Sequence, residues 1–160
     1  MAKAEKTNVM RILEQKKIAY KSYEYINTEA ISGVEVAEVL GENPNQVFKT
    51  LVTVGASKLY YVFMIPVHKE LDLKKAAKAV GEKSVAMIKS KELLPLTGYI
   101  HGGCSPIGMK KQFCTVIDIS AENFDTIIFS AGKIGYQVEV APKDLEKVIR
   151  YQFFDLVVND

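Results

Sequence analysis

Val47-Phe48-Lys49-Thr50-Leu51-Val52-Thr53-Val54 is followed by Gly55-Ala56-Ser57 and then by Lys58-Leu59-Tyr60-Tyr61-Val62-Phe63-Met64-Ile65. Two runs rich in β-branched and aromatic residues around a break of small residues predict a hairpin of strands over 47–54 and 58–65. Alternation sets Val47, Lys49, Leu51 and Thr53 on one face of the first strand. Phe48, Thr50, Val52 and Val54 take the other. Both faces are substantially apolar, as in a central strand covered on both sides. A lysine in such a strand has two options. It can snorkel along the sheet to water, or it can enter a cavity and meet an anion or a carbonyl oxygen. Spacing alone leaves both open for Lys49.

Outward from the hairpin, helical signals flank strand signals. Residues 7–17 carry Val9, Ile12 and Leu13 at helical spacing. Tyr20–Tyr25 is rich in strand-favouring tyrosine. Ser32-Gly33-Val34-Glu35 matches a capping box that opens a helix to Leu40, stopped by Gly41. A further helix runs over 71–80 to Gly81, with Leu73, Ala76, Ala77 and Val80 on one face and Lys74, Lys75 and Lys78 on the other. A short helix near Lys91–Leu94 precedes a glycine-rich loop. Strands over 113–119, 126–129 and 136–140 follow, and Pro142 fits the first turn of a last helix to Arg150. Strands dominate the middle without steady strand–helix alternation. The expected class is therefore α+β: a mixed, mostly antiparallel, barrel-like sheet with helices outside it.

The 160 residues are 48% hydrophobic, which suits one domain over 1–160. No apolar run approaches the roughly 18 residues that span a bilayer. The charged N-terminus lacks a signal-peptide core, so a cytoplasmic protein is expected. Net charge is +2, modest for a dedicated nucleic-acid binder. The lysine cluster of residues 74–78 reads first as a solvated helix face. Cys104 and Cys114 read as free thiols, each behaving as a small buried hydrophobe.

Three features can carry chemistry. Lys49 is one. The loop Gly102-Gly103-Cys104-Ser105-Pro106-Ile107-Gly108 is another: glycines let backbone N–H groups approach a phosphate or an oxyanion, and they also mark ordinary turns. It lacks the spacing of a P-loop or a dinucleotide fingerprint. The third is Ser130-Ala131-Gly132-Lys133-Ile134-Gly135, a hairpin turn or a pocket wall. A Cys–His pair of His101 and Cys104 lacks an orienting third group. The paired cysteine spacing of structural zinc is absent. No cofactor or metal is expected.

Val47-Phe48-Lys49-Thr50-Leu51, Leu71-Asp72-Leu73-Lys74-Lys75, Thr97-Gly98-Tyr99 through Gly102-Gly103-Cys104-Ser105-Pro106-Ile107-Gly108, and Ser130-Ala131-Gly132-Lys133 occur in an order that resembles the YbaK/EbsC family of Cys-tRNA(Pro) deacylases. The likeness runs from about residue 6 to residue 157. It implies a YbaK-like fold and an enzyme that removes cysteine from Cys-tRNA(Pro), and by extension from Cys-tRNA(Cys). In the mechanism it implies, the substrate's own thiol displaces the ester. The family's lysine falls on Lys49. Its glycine-loop positions fall on Gly102, Gly103 and Ser105, with backbone N–H groups near the reacting carbonyl. Thr50, Ser130, Gly132 and Gln137 fall in the substrate pocket. A family tyrosine matches Tyr25, with Tyr23 as the alternative. Lys74, Lys75, Lys110 and Lys111 are the candidate tRNA contacts, and prolyl-tRNA synthetase is a candidate partner. Gln137 stands where relatives carry an acidic residue, and Ile31-Ser32 where they carry an aromatic. These departures keep two other readings open: Ala-tRNA(Pro) or another aminoacyl-tRNA cleaved by an ordered water, and a non-enzymatic regulatory or binding protein.

Overall fold

A computed structural model of the chain describes residues 6–26, 28, 30 and 32–159. The expected hairpin forms: β2 (Phe48–Gly55) pairs antiparallel with β3 (Tyr60–Pro66), Lys49 opposite Ile65 and Thr53 opposite Tyr61. The turn is longer than Gly55-Ala56-Ser57 and includes Lys58 in left-handed backbone. β3 is the centre of a five-stranded sheet. Its order is β4 (Val85–Met87), β2, β3, β5 (Cys114–Asp118), β8 (Tyr151–Phe154). The β3–β5 and β5–β8 pairs are parallel, so two connections cross over. A second, antiparallel sheet has the order β1 (Lys21–Glu24), β7 (Tyr136–Val140), β6 (Ile127–Ser130). A parallel bridge from Val47 to Ile128 joins the two sheets at the start of β2. Mixed, mostly antiparallel pairing with flanking helices is thus what forms, as two linked sheets.

Helix ends follow local chemistry. α1 (Asn8–Gln15) starts where the Thr7 hydroxyl accepts from the Met10 N–H, and Val9 and Leu13 are fully buried against the second sheet. α2 (Gly33–Leu40) has the expected reciprocal capping box of Ser32 and Glu35, and Gly41 closes it in left-handed backbone. α3 (Leu73–Val80) is capped by the Asp72 carboxylate, which accepts from the N–H groups of Lys74 and Lys75. Ala76 and Ala77 face the core, whereas Leu73 is exposed. α4 (Ser90–Thr97) is longer than the sequence suggests.

Two strands escape the sequence reading. β4 is three residues long, too short to show a period. β8 lies where a helix to Arg150 was expected to run out. α5 spans only Pro142–Leu145, because the chain then tightens into i→i+3 turns at Lys147 and Val148 and enters the sheet. The C-terminal segment is held by Asp118, a carboxylate 2% exposed. One of its oxygens accepts from Leu156 N at 2.9 Å, the other from Ser120 N at 3.2 Å. Removing an acceptor that satisfies one buried and one partly buried donor should cost about 2–3 kcal/mol. Asp118→Ala should therefore lower the urea midpoint with the slope unchanged.

Candidate active site

β2 has one fully paired edge and one divided edge. On the divided side, the bridge to β6 ends at Val47, and β4 begins only at Thr53–Gly55, with Ile88 N donating to Val52 O. Among the described residues no strand pairs with that edge at Thr50. The gap is the floor of a cleft of about 560 Å³. Lys49 and Thr50 line it, and so do Tyr25, Gly102, Cys104, Ser130 and Gln137. The structure thus assembles seven residues from five separate stretches of chain. The N-terminus of α2 at Ser32-Gly33-Val34 and the segment Met87-Ile88-Lys89-Ser90 complete the walls. The family-implied departure at Ile31 lies outside the described residues, while Ser32 is at the rim.

Lys49 is half-buried. Burial draws its pKa below the usual lysine range, and the charge of Glu70 partly opposes this. A desolvated ammonium seeks an anionic or carbonyl partner more strongly than one in water. Beside it, Thr50 Oγ1 is buried without a hydrogen-bond partner among the described residues, a condition it shares only with Ser120 Oγ. An unmade bond of this kind costs about 1–3 kcal/mol, which a ligand in the cleft can return.

The glycine loop reaches the cleft through Gly102 and Cys104. The Gly103 N–H is committed to Ile100 O at 3.0 Å. Gly103 serves packing instead: a Cβ there would lie a tight 3.1 Å from Ile134 N, so the loop seats closely against the β6–β7 hairpin. Ser105 is fully buried, accepts from Ile107 N through its Oγ, and does not line the cleft. No backbone or side-chain acceptor takes the N–H of Gly102 or Cys104 among the described residues. Burial pushes the Cys104 thiol up to about 12, with a hydrogen bond to Thr97 opposing. The thiolate is therefore scarce at neutral pH, and Cys104 is a poor nucleophile.

Tyr25 lines the cleft, whereas the Tyr23 hydroxyl is donated to Glu139. Ser130 Oγ accepts from Gly132 N at 3.1 Å. Gly132 itself faces away from the cleft, in left-handed backbone, where a Cβ would come 2.9 Å from the Tyr99 ring. Its role is to bend the chain and orient Ser130. Gln137 is 5% exposed; with its amide turned so that the nitrogen faces Glu42, it donates to both carboxylate oxygens, at 3.1 and 2.8 Å. The opposite amide orientation would set oxygen against oxygen. Glu42 follows the C-cap of α2 and has no sequence signal that marks it. Burial pushes its carboxyl up to about 7, the Gln137 hydrogen bond opposes, and Glu139 adds repulsion. Burial also pushes Glu139 up. Hydrogen bonds from Thr126 and Tyr23 and the charge of Lys21 outweigh it, and hold Glu139 below the usual range.

The candidate tRNA lysines differ in what they touch. Lys75 Nζ donates to Asp155, Val157 O and Asn159, so it ties down the C-terminal segment. Lys110 lies over Gly98 and donates to Pro95 O, and Lys111 is exposed. Lys74 is exposed and lines a second groove of about 390 Å³ with Lys78 and Lys83. β4 connects this groove to the cleft, running from Val85 beside the lysines to Met87 at the cleft wall. Among the described residues no His, Cys, Asp and Glu side chains gather in a group of three that could hold a metal ion. No described helix is long and apolar enough to cross a membrane.

Residues 28–148 match the family described as the aminoacyl-tRNA editing domain. The chain is 48% identical over 157 residues to an Enterococcus faecalis protein with the provisional name Cys-tRNA(Pro)/Cys-tRNA(Cys) deacylase EbsC, covering 98% of this chain and 96% of that one. It is 29% identical over 125 residues to the proline–tRNA ligase of Shouchella clausii, covering 78% of this chain and 22% of the ligase. Among solved structures, a protein described provisionally as a trans-editing enzyme for prolyl-tRNA synthetase superposes with a TM-score of 0.81 at 23% identity, over 98% of this chain and 100% of that one.

A raised carboxyl pKa gives stability that is complete below the unfolded value of 4.5 and lost as the pH rises through about 7. Glu42→Gln removes that loss. The variant should gain thermal stability on the wild type between pH 5 and pH 8, as read by melting curves. A constant difference across that range would show that Glu42 titrates normally.

Proposed function

The chain belongs to the aminoacyl-tRNA editing domain family, and from that premise we propose that it acts in trans, as one domain in the cytoplasm, to remove cysteine from Cys-tRNA(Pro). The observation that carries the reading is the floor of the cleft: a desolvated Lys49 beside a Thr50 hydroxyl that lacks a partner. The glycine loop that lines the same cleft has uncommitted N–H groups at Gly102 and Cys104.

The aminoacyl ester enters the cleft with its carbonyl toward Gly102 and Cys104. Their N–H groups and the Lys49 ammonium stabilise the charge that develops on the carbonyl oxygen. The substrate thiol attacks its own carbonyl carbon and forms the S–C bond of a cyclic thiolactone. The ester C–O bond breaks, and the ribose oxygen leaves with the thiol proton. The enzyme supplies position and electrostatics and no nucleophile of its own. That division suits a cleft in which Cys104, the one thiol among the described lining residues, is held protonated by burial. Thr50 Oγ1 and Ser130 bind the terminal ribose and the amino-acid backbone, and Tyr25 walls the side-chain end. Such editing is needed because a synthetase pocket shaped for proline discriminates weakly against a side chain of similar size.

The RNA body then lies along β4, with its phosphates on Lys74, Lys78 and Lys83. Binding should weaken as salt rises, because each neutralised phosphate releases counterions. Lys78→Glu with Lys83→Glu should raise KM for aminoacyl-tRNA about tenfold or more and flatten its salt dependence, with kcat held.

The deciding assay offers Cys-, Ala-, Ser- and Pro-tRNA(Pro) to the wild type, Lys49→Ala and Thr50→Val. Cys-tRNA should be lost rapidly, and Ser- and Ala-tRNA slowly. Lys49→Ala should lose about 100-fold or more in rate, the scale of one removed oxyanion contact. Thr50→Val should be as stable as the wild type or slightly more so, since it deletes an unpaired buried hydroxyl, and still lose activity. Full activity in Lys49→Ala would refute the site. Equal loss of Cys- and Ala-tRNA would favour an ordered water over the substrate thiol. No cleavage of any aminoacyl-tRNA would make the protein a binding module.

A further inference from the structure

Glu42 stands outside the cleft, yet it touches the cleft through one side chain. On the face of the second sheet that α2 covers, Gln137 lies opposite Ser130 on one neighbouring strand and opposite Tyr23 on the other. Ser130 and Gln137 both line the cleft. Behind them runs a polar layer. Gln137 donates to Glu42. Two residues along β7, Glu139 accepts from Tyr23 and from Thr126 Oγ1, and Gln46 donates to Thr126. The charged and titratable groups around Glu42 are thus Glu139 on β7, Tyr23 on β1 through Glu139, and Lys21 through Glu139.

We propose that Glu42 is a positioning residue: its carboxylate grips the amide nitrogen of Gln137 and so turns the amide oxygen toward the cleft, where it accepts a hydrogen bond from the α-ammonium group of the aminoacyl substrate. This rests on the deacylase reading. A carboxylate only accepts, so both amide donors of Gln137 are drawn toward Glu42 and the oxygen is left on the far side. A protonated carboxyl donates, and the amide can then rotate to offer oxygen to Glu42 and NH₂ to the cleft. An ammonium group meets an acceptor in the first state and a donor in the second. Gln137 is nearly fully buried, so water cannot mask the difference. Burial, helped by repulsion from Glu139, brings the titration of Glu42 near 7, so both states are populated close to neutral pH. Selecting a free α-amine separates an aminoacyl-tRNA from one whose amine is acylated, as in a growing peptide.

Two readouts test this in the full-length protein. First, the side-chain NH₂ resonances of Gln137 should titrate with a midpoint near 7 in the wild type, and should be flat in Glu42→Gln. Second, deacylation of Cys-tRNA(Pro) and N-acetyl-Cys-tRNA(Pro) is compared at pH 5.5 and pH 8 in the wild type, Glu42→Gln and Glu42→Leu. At pH 8 the wild type should prefer the free amine by about tenfold. Both variants should lose most of that preference by slowing on the free-amine substrate alone. At pH 5.5 all three should converge. The substrate amine itself titrates at about 7.7–8.0, so the contrast between variants is decisive and the shape of one profile is not. A flat Gln137 titration in the wild type overturns the proposal. Equal losses on both substrates also overturn it, by reducing Glu42 to a structural residue. A wild type inert to every aminoacyl-tRNA sinks the deacylase reading and the ammonium contact with it. The Gln137 titration then decides whether the Glu42 grip exists by itself.

Discussion

The site depends on β2 having an edge that two strands share and neither completes. β6 is bridged to β2 at Val47, and β4 pairs with it only from Thr53 onward. A strand edge inside a protein must pair its backbone or meet a ligand or water, because unpaired polar groups are costly to bury. The gap at Thr50 is therefore where a polar guest is most welcome. The buried, unpartnered Thr50 hydroxyl is a second debt of the same kind in the same place. Lys49, one residue earlier, brings charge to the gap from the neighbouring position on the strand.

The remaining elements are arranged to close that gap without filling it. The glycine loop presses on the β6–β7 hairpin because Gly103 has no side chain to hold it off Ile134. Gly132 bends the hairpin and fixes Ser130 at the rim. Tyr99 packs beneath both loops, its hydroxyl donated to Ile107 O and its ring against Gly132. α2 caps the opposite wall, and its C-terminal end delivers Glu42 behind Gln137. The cleft therefore lies at the junction of two sheets, and its walls combine strand residues, loops and one helix end. That is a common place for chemistry, since the sheets supply rigidity and the loops supply donors.

Much of this was legible in the chain. Alternation in 47–65 identified the hairpin, and apolar spacing in 7–17, the Ser32 capping box and the stops at Gly41 and Gly81 placed three helices, because each signal is local chemistry. β4 and β8 were not legible: one is three residues long, and the other is held by partners that lie far away in sequence. Resemblance grouped Gly102, Gly103 and Ser105 as one functional loop. Backbone geometry separates them, since the Gly103 N–H is spent on Ile100 and Ser105 is buried behind the cleft. Lys75 read as a surface lysine like Lys74, yet the C-terminal segment folds back to take its ammonium. No pattern in the sequence marks Glu42. Its role arises because a residue after one helix lands beside a residue on a distant strand.

By itself the sequence determined the class of fold, the central hairpin and the place of Lys49 within it, because alternation, capping and turn chemistry act over a few residues. The choice between a lysine that snorkels to water and one that enters a cavity was beyond it. Tertiary structure decided that choice by leaving the edge of β2 open and walling it with segments far apart in the chain. It also decided which loop N–H groups remain uncommitted, and what stands behind Gln137. Those outcomes depend on distances between segments far apart in the chain, and no local preference encodes them.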